Sequence, residues 1–143
     1  MSYVTFTPLI KTLLEGLKES GAIDLFADVR YGHKKDFSGY PTAEFFKKAS
    51  EGEVEDTHQN ERTWEYTLLL IYEYKGQKTH EEVETLMDTT VDKVIEAFDQ
   101  DPTLSGNCMS LEVAPVNFYD ILLEEPFVFA EFIISIKDFV NRN

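Results

Sequence analysis

The chain has 143 residues, one cysteine, and 27 acidic against 13 basic side chains, a formal net charge of −14. The length fits one domain. The acidity excludes a broad nucleic-acid grip, which needs clustered Lys and Arg, and a lone cysteine excludes an internal disulfide framework. The longest apolar runs, such as "TLLLIYEY", are far too short to span a bilayer, and "MSYVTFTPLIKTLLEG" lacks the basic start and cleavage site of a signal peptide.

Thr7 as N-cap and Pro8 at the first helical position predict a helix whose apolar stripe is Leu9, Ile10, Leu13, Leu14 and Leu17, with Gly21 as its stop. Phe26 to Tyr31 reads as a short strand. "GHKKDFSGYP", with two glycines and a proline, reads as an exposed, mobile loop. "TAEFFKKAS" reads as a strand and "EGEVEDTHQN" as a charged hairpin connection.

The strongest strand is "RTWEYTLLLIYEY", where Trp64, Tyr66, Leu68, Leu70, Tyr72 and Tyr74 alternate onto one face. The opposite face, Glu65, Thr67, Leu69, Ile71 and Glu73, is apolar only in the middle, so this strand is expected to lie centrally with its second face partly covered. "KGQK" turns into a second helix, with Thr79 and Glu82 as a capping box. Val83, Leu86, Met87, Thr90, Val91, Val94, Ile95 and Phe98 form its buried stripe, while Glu81, Glu84, Asp88, Asp92 and Glu96 face water.

Pro102 ends that helix and Gly106 permits a bend into "MSLEVAPV", a strand with Met109, Leu111 and Val113 on one face. "NFYDILLEEP" reads as a connection to the last strand, "FVFAEFIISIKDFV". There Val128, Ala130, Phe132, Ile134 and Ile136 form a core face, and the reverse carries Phe127, Phe129, Ile133 and Phe139 around Glu131 and Lys137. The order α, β, β, β, α, β, β with short connections predicts an α+β two-layer sandwich. Its sheet is mainly antiparallel, of about four to five strands, with two helices on one face.

The search for chemistry returns little. His33, His58 and His80 make no metal-ligand spacing on a single element. Cys108 has no CxxC partner or nucleophile setting and reads as a small apolar residue opening a strand. Nearly all carboxylates fall on solvent faces or in loops, and no isolated acid sits in an apolar run as a buried catalytic acid would. Glu131 comes nearest, but alternation points it away from the core. No phosphate loop or GxSxG elbow is present. The residues therefore point to neither enzyme, metal nor cofactor, and what stands out is an apolar surplus. Two helices cover one side of a sheet, so loops or another subunit must cover the rest, and large exposed apolar patches mark interaction sites.

Four features, in this order and spacing, resemble the tail terminator (tail completion, or head–tail joining) family of long-tailed bacteriophages. They are an N-terminal helix leading to a short strand; "GYPTAEF", a Pro-containing entry into a strand; "NERTWEYTLLLIYEY", an Arg followed by an alternating strand; and "VDKVIEAFDQDPTLSGNCMSLEVAP", a helix, a Thr-Leu-x-Gly bend and a strand. Thr103, Leu104 and Gly106 then match the family's helix-to-strand corner. The resemblance implies a single tail-terminator-like domain over residues 1–143 and a structural, late virion protein assembled in the host cytoplasm. It implies a six-fold ring on the head-proximal end of the tail tube, which ends tube polymerisation and presents a joining surface for the DNA-filled head. Its partners would be its own copies, the tube protein and the head connector or head-completion protein. DNA would pass through without specific binding, and no membrane is involved.

Within that frame, Phe127, Phe129, Glu131, Ile133 and Lys137 are the candidate subunit interface. Tyr31, His33, Lys34, Lys35 and Phe37 are the candidate tail or head contact loop. Glu51, Glu53, Glu55 and Asp56 are the candidate acidic lumen lining, with the acidic face of the second helix as rival. The open sheet also offers two edges for ring contacts. Three alternatives stand beside this reading: another neck or minor tail subunit, a cytoplasmic α+β domain using the aromatic sheet face as a ligand pocket, and a hydrolase or metal enzyme using His58, His80 and nearby acids.

Overall fold

A computed structural model describes residues 3–32, 39, 41–48, 61–73, 80–121 and 127–139. The elements run α1 (Tyr3–Glu15), β1 (Lys18–Ser20), β2 (Ile23–Asp24), β3 (Asp28–Tyr31), β4 (Thr42–Lys47), β5 (Glu61–Glu73), α2 (His80–Asp99), β6 (Ser110–Ile121) and β7 (Phe127–Phe139). The fold is α+β. A five-stranded sheet has the order β3-β4-β5-β7-β6, and β1 and β2 form a separate antiparallel hairpin. The predicted central strand, β5, lies in the middle.

Both helices lie on one face of the sheet. Phe6 of α1 packs edge-on against Trp64, ring centroids 5.3 Å apart. The Thr7 hydroxyl shares a 2.7 Å hydrogen bond with the Tyr66 hydroxyl, and Thr90 of α2 shares one of the same length with Tyr72. Trp64, Tyr66 and Tyr72 alternate onto the same side of β5, so the core forms between that side and the two apolar stripes. Phe6, Ile10, Leu14, Val83, Met87, Val91, Val94 and Phe98 supply the helices' part of it. Val128, Ala130, Phe132, Ile134 and Ile136 are buried on the same side of β7, as their alternation predicts.

Four boundaries differ from expectation, each for a physical reason. Helix α1 starts at Tyr3, so Thr7 is not its N-cap and Pro8 lies inside it. An interior proline costs about 3 kcal/mol, and burial of Phe6 and the Thr7–Tyr66 hydrogen bond offset that cost. The helix stops at Glu15. Gly21 instead turns the β1–β2 hairpin with φ +55°, a left-handed conformation that two-residue hairpin loops need.

Strand β3 starts at Asp28 rather than Phe26 and pairs with β4 in parallel, Asp28 opposite Thr42 through Tyr31 opposite Phe45. Residues 32–41 are enough chain to return past a strand of only four residues. Finally, "NFYDI" is strand rather than connection. β6 runs through Pro115 to Ile121, with a register shift between Pro115 and Asn117. An edge strand tolerates a proline at such a bulge, because no neighbour needs the missing N–H.

Between α2 and β6, the bend places Leu104 (φ 46°), Ser105 (φ 57°) and Gly106 (φ 85°) in succession in the left-handed region. It is tied by side chains. Asp101 Oδ1 accepts the Ser105 N–H at 2.6 Å, Thr103 Oγ1 accepts the Gly106 N–H at 3.1 Å, and Asn107 Nδ2 donates to the Leu104 carbonyl at 2.7 Å. Leu104 and Cys108 are buried, and they anchor the bend to the core.

Candidate functional site

With α1 and α2 on one side, the other side of the sheet is built by the alternate residues of each strand. On β7 these are Phe127, Phe129, Glu131, Ile133, Ser135 and Lys137. Across from them on β5 stand Glu73, Ile71, Leu69, Thr67, Glu65 and Thr63 in register. Coverage of this helix-free face is graded. Thr42, Glu44, Thr67 and Ile71 are buried, whereas Phe127, Phe129, Glu131, Ile133 and Ser135 are half-buried and Lys137 is exposed. The Phe127 and Phe129 rings lie 6.1 Å apart at a 55° tilt, one continuous aromatic surface. All five predicted interface residues therefore share one side of one strand, and Glu131 points away from the core as its alternation implies.

The two sheet edges are β3 and β6. β3 has only four residues, and β6 is interrupted near its middle by Pro115 and its bulge. Short edges, prolines and bulges all discourage edge-to-edge pairing, so the helix-free face is the better candidate for contact than either edge.

The other predicted residues are less well placed. Tyr31 is 41 % exposed and packs on Phe45 at 5.2 Å on the helix-covered side. The remaining loop candidates, His33, Lys34, Lys35 and Phe37, lie outside the described residues. So do the lumen candidates Glu51, Glu53, Glu55 and Asp56, together with His58, Tyr74, the "KGQK" turn and the Thr79 cap. On α2, Glu81, Asp88, Asp92 and Glu96 are exposed and Glu84 is half-buried, as the helical period predicts.

Two buried acids escaped the reading of the sequence. Glu44 is 3 % exposed and Asp138 fully buried. Each faces a cation in register: Glu44 stands opposite Arg30, itself ion-paired with Asp28, and Asp138 stands opposite Arg62. For Asp138 the available signal was an acid at the core-side position of a strand, in "IKDF"; Glu44 lies on the helix-free side of β4, where alternation gave no such signal. Opposite charges across a ladder are a recurrent structural device.

Among the described residues, no group of three or more His, Cys, Asp or Glu is arranged to hold a metal ion. No described helix is long and apolar enough to cross a membrane. The clearest electrostatic perturbations belong to two structural tyrosines. Burial pushes the Tyr66 hydroxyl far above the ordinary phenol value, against a smaller opposing pull from its hydrogen bond to Thr7. Tyr72 is raised by burial as well, with Thr90 opposing and Glu19 adding a little. Both groups hold helices to the sheet. Neither a scan against protein-family models nor a search of curated proteins finds a match for this chain.

Proposed function

We propose that this protein is a structural virion assembly protein of the phage head–tail region, and within that class a tail terminator. Six copies close a ring on the head-proximal end of the tail tube, end its polymerisation and present the joining surface for the filled head. The observation that carries the reading is the half-buried apolar row of Phe127, Phe129 and Ile133 on the helix-free face. A subunit that leaves such a row on an otherwise strongly acidic surface gains from burying it against a neighbour. The ordered phrases that resemble the tail terminator family add support, because the segments carrying them fall on the β4 entry, β5, and the α2–β6 corner.

The ring uses the β7 row as one half of a heterologous contact. The acidic chain repels phosphate, which suits a channel that DNA crosses without being held. The test is to mix the purified protein with tail tubes polymerised from the tube protein and to image the tube ends. A disc on one end and arrested elongation are expected. Phe129→Glu together with Ile133→Glu is expected to leave the fold intact and remove the disc. Rings that persist after both changes, or a monomer that turns over a substrate, would overturn the reading.

A further inference from the structure

We infer that the β1–β2 hairpin is a strap latched to α2 by Lys93, which releases as a unit while the helices and the five-stranded sheet stay folded. The inference is independent of the ring reading, because the latch is made to a helix and does not involve the β7 row.

The hairpin has no core of its own. Residues 18–24 are all exposed, and the Lys18–Asp24 ion pair that joins the two strands lies open to water. A two-stranded ribbon without a packing surface is marginal at best in water, and an exposed ion pair adds little to it. The chain on either side is fixed. Leu14 before the hairpin, and Leu25 and Phe26 after it, are buried in the core. The change from fixed to exposed chain is therefore sharp at both ends. The Leu25 N–H closes the neck by donating to the Leu17 carbonyl at 2.9 Å.

The body of the hairpin is tied to α2 by one side chain. Lys93 Nζ donates to the Glu19 carbonyl at 2.9 Å and reaches the Lys18 carbonyl at 3.5 Å. Among the described residues, no other side chain hydrogen-bonds to residues 18–24 from outside the hairpin. An ammonium on backbone carbonyls is a charge-assisted tie. It is a single one, made by a side chain that is itself half-buried. Segments with few buried contacts and so few ties are the ones that open locally, at a free energy well below that of global unfolding.

The latch also sits beside a working part of the core. Lys93 lies one turn beyond Thr90 on α2, and Thr90 shares a 2.7 Å hydrogen bond with the Tyr72 hydroxyl. The Glu19 carboxylate is within electrostatic reach of that hydroxyl and adds to its upward shift. Release of the strap withdraws the Glu19 charge from the tie between α2 and β5 without breaking the tie itself.

Native-state amide exchange tests the latch. The Leu25 N–H is expected to exchange through a local opening, faster than the amides of Leu68 and Ile134 in the central strands and with almost no dependence on added denaturant. Lys93→Met keeps the stem and removes the donor. It is expected to speed Leu25 exchange about tenfold while Leu68 and Ile134 stay unchanged. Lys18→Met, which breaks only the exposed ion pair, is expected to change Leu25 exchange less than about twofold. Leu25 exchanging only with global unfolding, or unchanged in Lys93→Met, overturns the latch. A Lys93→Met effect that appears equally at Leu68 and Ile134 overturns it too, since Lys93 would then belong to the global fold. So does a larger effect from Lys18→Met than from Lys93→Met, since the hairpin would then be held by its own ion pair.

Discussion

The two sides of β7 are made of much the same material. Val128, Ala130, Phe132, Ile134 and Ile136 alternate with Phe127, Phe129 and Ile133, yet the first set is almost fully buried and the second is half-buried. Hydrophobicity does not separate them. The difference is that α1 and α2 lie on one side only, so the same residue types serve as core on that side and as an accessible row on the other. An apolar side chain acquires its role from the layer placed against it.

The comparison breaks most readily at two phenylalanines. Phe132→Ala, on the helix-covered side, is expected to cost about 3–5 kcal/mol of folding free energy. Phe129→Ala, on the same strand but the other side, is expected to cost about 1 kcal/mol. Denaturant midpoints at constant slope measure both. Equal losses would mean that the chain seals both faces by itself.

A smaller effect sharpens what holds the covered side together. Tyr66→Phe removes the hydrogen bond to Thr7 and is expected to cost about 0.5–1.5 kcal/mol, read from the same denaturant curves. The raised pKa values of Tyr66 and Tyr72 add a pH dependence. Both groups are held neutral in the folded state, so the stability they contribute is complete below the unfolded phenol value of 10.0. It is lost as pH rises beyond that value toward the folded one, since the unfolded chain releases its phenol protons first. Thermal melts are expected to fall above about pH 10, and ultraviolet titration should show that Tyr66 ionises only with unfolding. Early titration of all the tyrosines would show the covered side to be open.

The smallest expected effect lies on the helix-free side. The Lys48–Glu65 pair, 3.1 Å apart with the lysine exposed and the glutamate half-buried, is expected to contribute about 1 kcal/mol or less and to weaken in molar salt. A salt-resistant loss on Lys48→Ala would place the pair in a drier setting than the open face provides.

Much of this was legible in the residues. The two-faced alternation of β5 and β7 and the stripe of α2 named the larger part of the core, while Phe6, Leu25, Ala43 and Leu104 were not named by any periodic stripe. The helix-free row of β7 was legible for the same reason, because a strand's period of two assigns sides without reference to partners. What escaped was decided by long-range contacts. Pro8 reads as a helix start until Phe6 finds Trp64. Pro115 reads as a strand's end until its place at a sheet edge makes its missing N–H harmless. Glu44 and Asp138 read as solvated, and only the folded sheet shows them buried, each with an arginine at the paired position of the neighbouring strand.

By itself the order of residues determined which faces are greasy, which are charged and where the chain turns, since those follow from local periodicity and turn chemistry. Only the tertiary structure decided that β3 runs parallel to β4 and that β1 and β2 form an exposed hairpin of their own. Those outcomes depend on which segments come to lie against one another, and no local pattern contains those energies.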